Sequence, residues 1–205
     1  MYEIQATYKG LVPMMMDRFA NPDEVASGQA KRRSKVVSPK ELRAELERKL
    51  HRDNKGVYVP ADNIRMMLIG NQFRRGAAQI LGSDIEKNKG TTYKSICEGC
   101  IWVLGPKDPL KVYIEPKRKT YDEYDERSFL TKKGKGGGSR KITQRPLITL
   151  PWELHFIIQV TDDQIEQSFV RQLFDVAGLR CGVCAYGPTF GRCVITEWKV
   201  QKEKN

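Results

Sequence analysis

The sequence predicts an α+β fold, a ferredoxin-like (RRM-like) split βαβ sheet that carries an inserted basic arm or thumb. Two strand patterns, each followed by an amphipathic helix pattern, and a charged, glycine-rich stretch between them predict this fold. The elements follow as strand, helix, strand, strand, arm, strand, helix, strand. Around the insertions this is the order of a split βαβ sheet with helices on one face, which leaves the other face open to single-stranded nucleic acid.

The first part of the chain supplies a strand and two helices. Apolar and polar residues alternate from Tyr2 to Tyr8, which predicts a strand. Ser38 as N-cap and Pro39 at the first helical position predict a surface helix with a narrow leucine stripe from Leu42 to Leu50. A second helix is predicted over residues 61–77.

The middle of the chain supplies a strand pair and the arm. The apolar run over residues 101–104 predicts an interior strand, and residues 111–115 predict the strand that returns beside it. Residues 116–147 are highly charged and predict a protruding arm. With the basic segment and surface helix over 21–56 as the other insertion, residues 1–205 are predicted to form one domain.

The last part of the chain supplies a strand, a helix and a strand. Residues 152–160 alternate most clearly, and a helix capped by Thr161 or Asp162 and ended by Gly178 is predicted to follow. Residues 193–198 predict the final strand. The preceding run, Gly187 to Arg192, predicts a loop in which glycine allows the backbone to come close to a partner.

A net charge of +11 favours a polyanionic partner. The chain has 36 Lys and Arg residues against 25 acidic ones, and nine of the basic residues lie in two blocks over 31–35 and 132–141. Charge that serves only solubility is the alternative, since basic runs are often solvated faces. The sequence has neither an apolar run of membrane-spanning length nor a signal-peptide pattern, so we expect a cytoplasmic protein, in the host cytoplasm if a phage encodes it.

Two stretches resemble a known family. The strand–helix–strand that ends in Gly178 and the run Gly187 to Arg192 resembles the RAMP superfamily, and the long insertion is similar to the thumb of the backbone subunits in CRISPR effector complexes. Residues 57–64 with the helix after them resemble small phage-encoded relatives of those subunits. The resemblance implies a non-enzymatic protein that oligomerises along a single strand, probably of RNA, with or without further effector subunits.

The resemblance also implies which residues contact the strand, namely those of the main helix, the glycine-rich loop and the thumb tip. In this sequence they are Arg65, Arg74, Arg75, Arg180 and Arg192, with Lys132, Lys133, Lys135, Arg140 and Lys141 at the tip. Aromatic residues beside basic ones or glycine can stack on bases, and four fit this description: Tyr58, Phe73, Tyr186 and Phe190.

The cysteines predict either a structural zinc site or buried thiols. The pairs Cys97/Cys100 and Cys181/Cys184 have the two-residue spacing that lets both sulfurs bind one tetrahedral zinc. They also border apolar strands, where cysteine commonly acts as a small buried apolar residue. Cys193 falls within a strand pattern and is predicted to belong to the core. No cofactor is required by the sequence.

Catalytic candidates are few. His51 is interpreted as a surface residue, whereas His155 is predicted on the sheet face opposite Phe156, where it could act as a general base in RNA cleavage. Two alternatives to strand binding therefore stay open. One is a phage virion or assembly protein with no specific nucleic-acid site, and the other is an RNA-processing nuclease that uses His155.

Overall fold

The computed structural model describes residues 1–18, 38–72, 74–85, 89–131 and 139–202. Its strands, in chain order, are β1 (Tyr2–Gly10), β2 (Met14–Met15), β3 (Arg52–Asp53), β4 (Gly56–Pro60), β5 (Gly70–Asn71), β6 (Arg74–Arg75), β7 (Ile101–Leu104), β8 (Lys111–Glu115), β9 (Glu123–Thr131), β10 (Ser139–Ile148), β11 (Glu153–Val160) and β12 (Cys193–Lys202). Its helices are α1 (Pro39–Arg48), α2 (Ala61–Ile69), α3 (Ala77–Ile85), α4 (Lys89–Cys100) and α5 (Gln167–Val176), followed by a π-helical turn (Ala177–Cys181).

The main sheet is antiparallel, with the strand order β12-β1-β11-β8-β4-β3. Strand β11 shares one side between two partners: its start pairs with β8, and residues 157–160 pair with β7. Helices and antiparallel sheets therefore form an α+β fold, as the sequence predicts.

Alternation along the strands sorts side chains between two faces. The buried face carries Tyr8 and Phe156, whose ring centroids lie 5.0 Å apart, and α5 packs its Phe174 against both. The Tyr8 hydroxyl donates to the Phe174 carbonyl over 2.7 Å inside this core. Gln5 and His155 are exposed on the other face, because successive side chains of a strand point to opposite sides.

A second sheet forms the arm. Strands β9 and β10 pair over their whole length as a hairpin, and β2 joins the base of β10 through Met14 and Met15. Residues 132–138, which include most of the predicted tip, lie outside the described residues. The pairing of β2 with β10 ties the base of the arm to the segment that follows β1.

The predicted helix over 61–77 is wrong in extent, because the chain reverses after Ile69. Strands β5 and β6 form a short hairpin there, and α3 begins only at Ala77. Gly70 has φ +77°, and a Cβ on either Gly70 or Gly76 would lie 2.4 Å from the backbone nitrogen of the other. These two glycines allow a backbone contact that any side chain would block.

The final helix also differs from the prediction at both ends. Asp162 accepts from the backbone N–H of Gln164 in a turn, and α5 starts later, with Glu166 as its N-cap. Gly178 does not end the helix, since the π-helical turn continues to Cys181, and Gly182 with φ +72° ends it. Gly178 instead packs against β12, where a Cβ would come 2.4 Å from the Cys193 carbonyl oxygen.

Candidate nucleic-acid interface

The glycine-rich loop, residues 182–192, is anchored to the segment between β1 and β2. Gly191 donates its backbone N–H to the Pro13 carbonyl over 2.9 Å, and the Arg192 carbonyl accepts from Leu11 over 2.8 Å. Ala185 donates to the Met15 carbonyl over 3.0 Å. Because Met15 also pairs with β10, the same short segment fixes the loop and the base of the arm.

The loop backbone adopts a conformation that most side chains avoid. Cys184 and Tyr186 have φ values of +63° and +57°, between the glycines at 182 and 191, both at +72°. Non-glycine residues in this left-handed region cost about 1–3 kcal/mol each and occur where the surrounding structure enforces them. The loop therefore holds Tyr186 in a defined place, with 43% of its surface exposed.

Two arginines of the arm lie over the aromatic rings of the loop. The guanidinium carbon of Arg127, on β9, lies 5.2 Å from the ring centroid of Tyr186 and 5.1 Å from that of Phe190. The guanidinium carbon of Arg145, on β10, lies 4.8 Å from the Tyr186 centroid. We call these four residues the arm–loop surface. Guanidinium groups within about 6 Å of a ring centroid are attracted to it.

Both arginines are also held by carboxylates. Arg127 Nε lies 2.6 Å from Asp125 Oδ2, and this hydrogen bond raises the pKa of Arg127. Arg145 Nε lies 2.5 Å from Asp17 Oδ2. The Arg145 side chain is 12% exposed, and its buried Nη1 has no hydrogen-bond partner among the described residues. The two guanidinium groups are thus fixed in place and compensated in charge.

Three of the predicted arginines lie around α3 and the π-helical turn. Arg74 donates from Nη2 to the Gly182 carbonyl over 3.1 Å, at the start of the glycine-rich loop. Arg75 donates from Nη2 to the Gln79 carbonyl over 2.8 Å, and Arg180 pairs with Asp84 of α3. These contacts bring the three residues to one side of the molecule.

Arg192 has an exposed side chain, as Arg75 and Arg180 do, but it lacks the contacts that hold those two residues. Among the described residues, nothing hydrogen-bonds or pairs with its guanidinium group. Its position at the end of the loop leaves it available to an anionic partner.

Arg65 does not join this group. It donates from Nε to the Ile101 carbonyl over 3.0 Å and lies 4.1 Å from the ring centroid of Trp102. These contacts tie α2 to β7. The Arg65 side chain is only 15% exposed. Its contacts with β7 give it a structural role.

Several predicted residues fall outside what the structure describes. Lys132, Lys133, Lys135 and Phe73 are not among the described residues, and Arg140 and Lys141 are described only by their backbone pairing in β10. Tyr58 is half-buried and packs edge-on against Tyr113 at 5.9 Å, near the β3 side of the sheet. It lies at the far side of the sheet order from β12.

The four-cysteine zinc site stays a prediction. Within the described ranges no group of three or more His, Cys, Asp or Glu side chains is arranged to hold a metal ion. Burial raises the pKa of Cys97 to about 12, and desolvation does the same for Cys184. Cys193 is buried in the core, as predicted.

His155 lies in a pocket of about 180 Å³ on the open face of the sheet. Its Nδ1 is 2.8 Å from the Thr7 hydroxyl, which is itself 3.2 Å from Glu197 Oε2. Thr7 has one hydroxyl proton, which the carboxylate accepts, so the neutral imidazole donates from Nδ1. The unprotonated Nε2 is then the free nitrogen of His155.

Sequence reasoning identified Phe190 and Tyr186 but missed Arg127 and Arg145. The arginines lie on neighbouring strands of the arm, where Arg127 pairs with Thr143 and Arg145 with Asp125. Arg127 and Arg145 are therefore offset by two residues across the hairpin. This placement follows only from the register of β9 and β10. The stretch is highly charged throughout, and no local signal in it marks these two arginines.

Comparison with known proteins gives little further guidance. No known protein family matches the sequence, and no curated protein matches it. A chain from the cryo-EM structure of the Type III-B Cmr-beta bound to cognate target RNA superposes with a TM-score of 0.49 at 9% identity. The superposition covers 98% of this chain but 61% of that one, so this chain spans less than two thirds of its length. Among the described residues, no helix has both the length and the apolar character needed to cross a bilayer.

Proposed function

We propose that the protein is a non-enzymatic binder of single-stranded nucleic acid, and of RNA in particular. The observation that carries this proposal is the arm–loop surface, in which arginines lie beside a Tyr and a Phe held on a strained, glycine-rich loop. Proteins that bind single strands combine aromatic platforms for bases with cationic groups for phosphates. Arg192 at the end of the loop and a net charge of +11 supply the second part.

We infer that the core is ferredoxin-like, an architecture that suits the same function. The strands β12, β1, β11 and β7 are antiparallel neighbours in that order, and α5 connects β11 to β12. A split βαβ unit has this arrangement. We further propose that the arm, with its basic tip, lets copies of the chain associate along one strand. Light scattering with and without RNA tests this association.

Fluorescence anisotropy with a labelled single-stranded RNA tests the proposed function. Affinity should fall as salt rises, because each phosphate contact releases counterions, with a slope of roughly 0.7 per contact in single strands. Arg192→Glu should lower both affinity and slope. Lys55→Glu, an equal charge change in the turn between β3 and β4, is the control. Absent binding, or equal effects of the two variants, would overturn the proposal.

The pocket around His155 favours a second candidate, an RNA-processing nuclease. The hydrogen bond from Nδ1 to Thr7 leaves Nε2 free to accept a proton, as a general base must. Incubation of labelled RNA with the wild type and with His155→Ala tests it. Cleavage that the substitution abolishes would support this candidate, and an intact RNA would remove it.

A further inference from the structure

We infer that Arg127, together with the ring of Tyr186 that Arg145 supports, recognises the flat faces of unpaired bases rather than the charge of phosphates. This inference rests on the proposed function and specifies the chemistry of its site. The ligand class is a nucleic acid with unpaired, unstacked bases. A duplex, whose bases are stacked inside, and a polyanion without bases are poor ligands of this surface.

The charge environment of the two arginines is the first argument. Asp125 and Asp17 each bind the Nε edge of one guanidinium group, at 2.6 and 2.5 Å. A phosphate approaching either arginine must compete with a carboxylate that is already in hydrogen-bond contact. Each Arg–Asp pair therefore presents a net charge close to zero to the ligand. Such a pair favours stacking of a base over binding of a phosphate.

Orientation is the second argument. Carboxylates hold the edges of both guanidinium groups, while the planar groups lie within 5.2 Å of ring centroids in the loop. Arginine stacks on aromatic rings through its plane, whereas a lysine ammonium is a point charge with no plane to offer. Arg127 is 38% exposed and Tyr186 43% exposed, so both side chains are accessible to a base.

The state of Arg145 is the third argument. Nη1 of this residue is buried without a hydrogen-bond partner among the described residues, although a buried donor ordinarily has one. Among the described residues, Asp17 and the ring of Tyr186 hold the guanidinium group in this buried position. A role in phosphate binding would need that nitrogen exposed, whereas support of a stacking ring does not.

Arg127→Lys and Arg145→Lys test this inference because they keep the charge and remove the plane. We expect each to weaken binding of a labelled single-stranded RNA about 5- to 100-fold, the range of base stacking, with the salt slope unchanged. The matched control is Arg52→Lys, which should bind as the wild type does. Arg52 lies on β3 and forms an ion pair with Glu47 of α1. Thermal melting of each variant establishes that it is folded.

The wild-type protein provides a second measurement that needs no substitution. An oligonucleotide of the same length with abasic sites should bind at least 5-fold more weakly than the intact strand at equal salt, and a duplex should do the same. Equal affinity for intact and abasic strands, or lysine variants that bind as the wild type does, would overturn the inference while leaving strand binding in place. Failure of the wild type to bind any single strand would overturn the proposed function itself.

Discussion

Arg145 of the arm lies 4.8 Å above the ring of Tyr186 in the glycine-rich loop, and this contact joins two segments that are distant in sequence. The guanidinium group reaches that position because Asp17, just after β2, holds its other edge. Loop, arm and the segment after β1 are therefore one structural unit.

Replacing Tyr186 with Asn should weaken binding of single-stranded RNA about 5- to 100-fold, because it removes one stacking platform. Asn tolerates the left-handed backbone that Tyr186 adopts at φ +57°, so the loop should keep its shape. Trp102→Ala is the control, since Trp102 is equally exposed, at 42%, but lies on β7. A larger effect of Trp102→Ala, measured by anisotropy, would contradict the proposed location.

Replacing Tyr8 with Phe should lower the free energy of unfolding by about 1 kcal/mol, the usual net contribution of one hydrogen bond. The Tyr8 hydroxyl donates to the Phe174 carbonyl inside the core that joins β1 to α5. Urea denaturation of the variant measures the change. RNA binding should stay as it is, and a loss of binding in a folded Tyr8→Phe protein would show that core and site are coupled.

Replacing Asp53 with Asn should destabilise the protein above pH 4 and have progressively less effect towards pH 2. The hydrogen bond from Lys111, with a further one from Tyr113, lowers the pKa of Asp53 from 3.8 to about 2. A carboxyl whose pKa is lower in the folded state contributes stability above its unfolded pKa, and this contribution is lost as the pH falls through the folded value. Denaturation at pH 2, 4 and 7 checks the difference; a constant difference would contradict it.

Treatment with a chelator should leave the melting temperature of the protein unchanged. The described residues include no group of three or more side chains that could hold a metal ion, and Cys97 is fully buried with its pKa raised to about 12. Differential scanning fluorimetry with and without a chelator measures the effect. A fall in melting temperature on chelation that zinc reverses would contradict this expectation. It would support the four-cysteine zinc site predicted from the spacing.

Local signals in the sequence predicted the parts of the fold that depend on neighbouring residues. Ser38 and Glu41 form a capping box at the start of α1, and Leu46 and Leu50 are buried as the leucine stripe predicts. The alternation over β11 placed His155 on the exposed face. Each of these features is decided within a few residues, so the sequence was sufficient.

Features that depend on distant contacts were missed. The reversal after Ile69 depends on two glycines, Gly70 and Gly76, that meet only once the hairpin forms. Helix α4 has too weak an apolar stripe to be recognised and went unpredicted. The stacking of Arg127 and Arg145 on the loop depends on the arm's register and on the segment after β1, and neither can be read from local spacing.

Photo-cross-linking of a single-stranded RNA to the wild-type protein, followed by mass spectrometry, tests the central claim most directly. The arm–loop surface predicts cross-links at Tyr186 and Phe190. Cross-links confined to Tyr58, Tyr113 or Trp102, elsewhere on the main sheet, would contradict it.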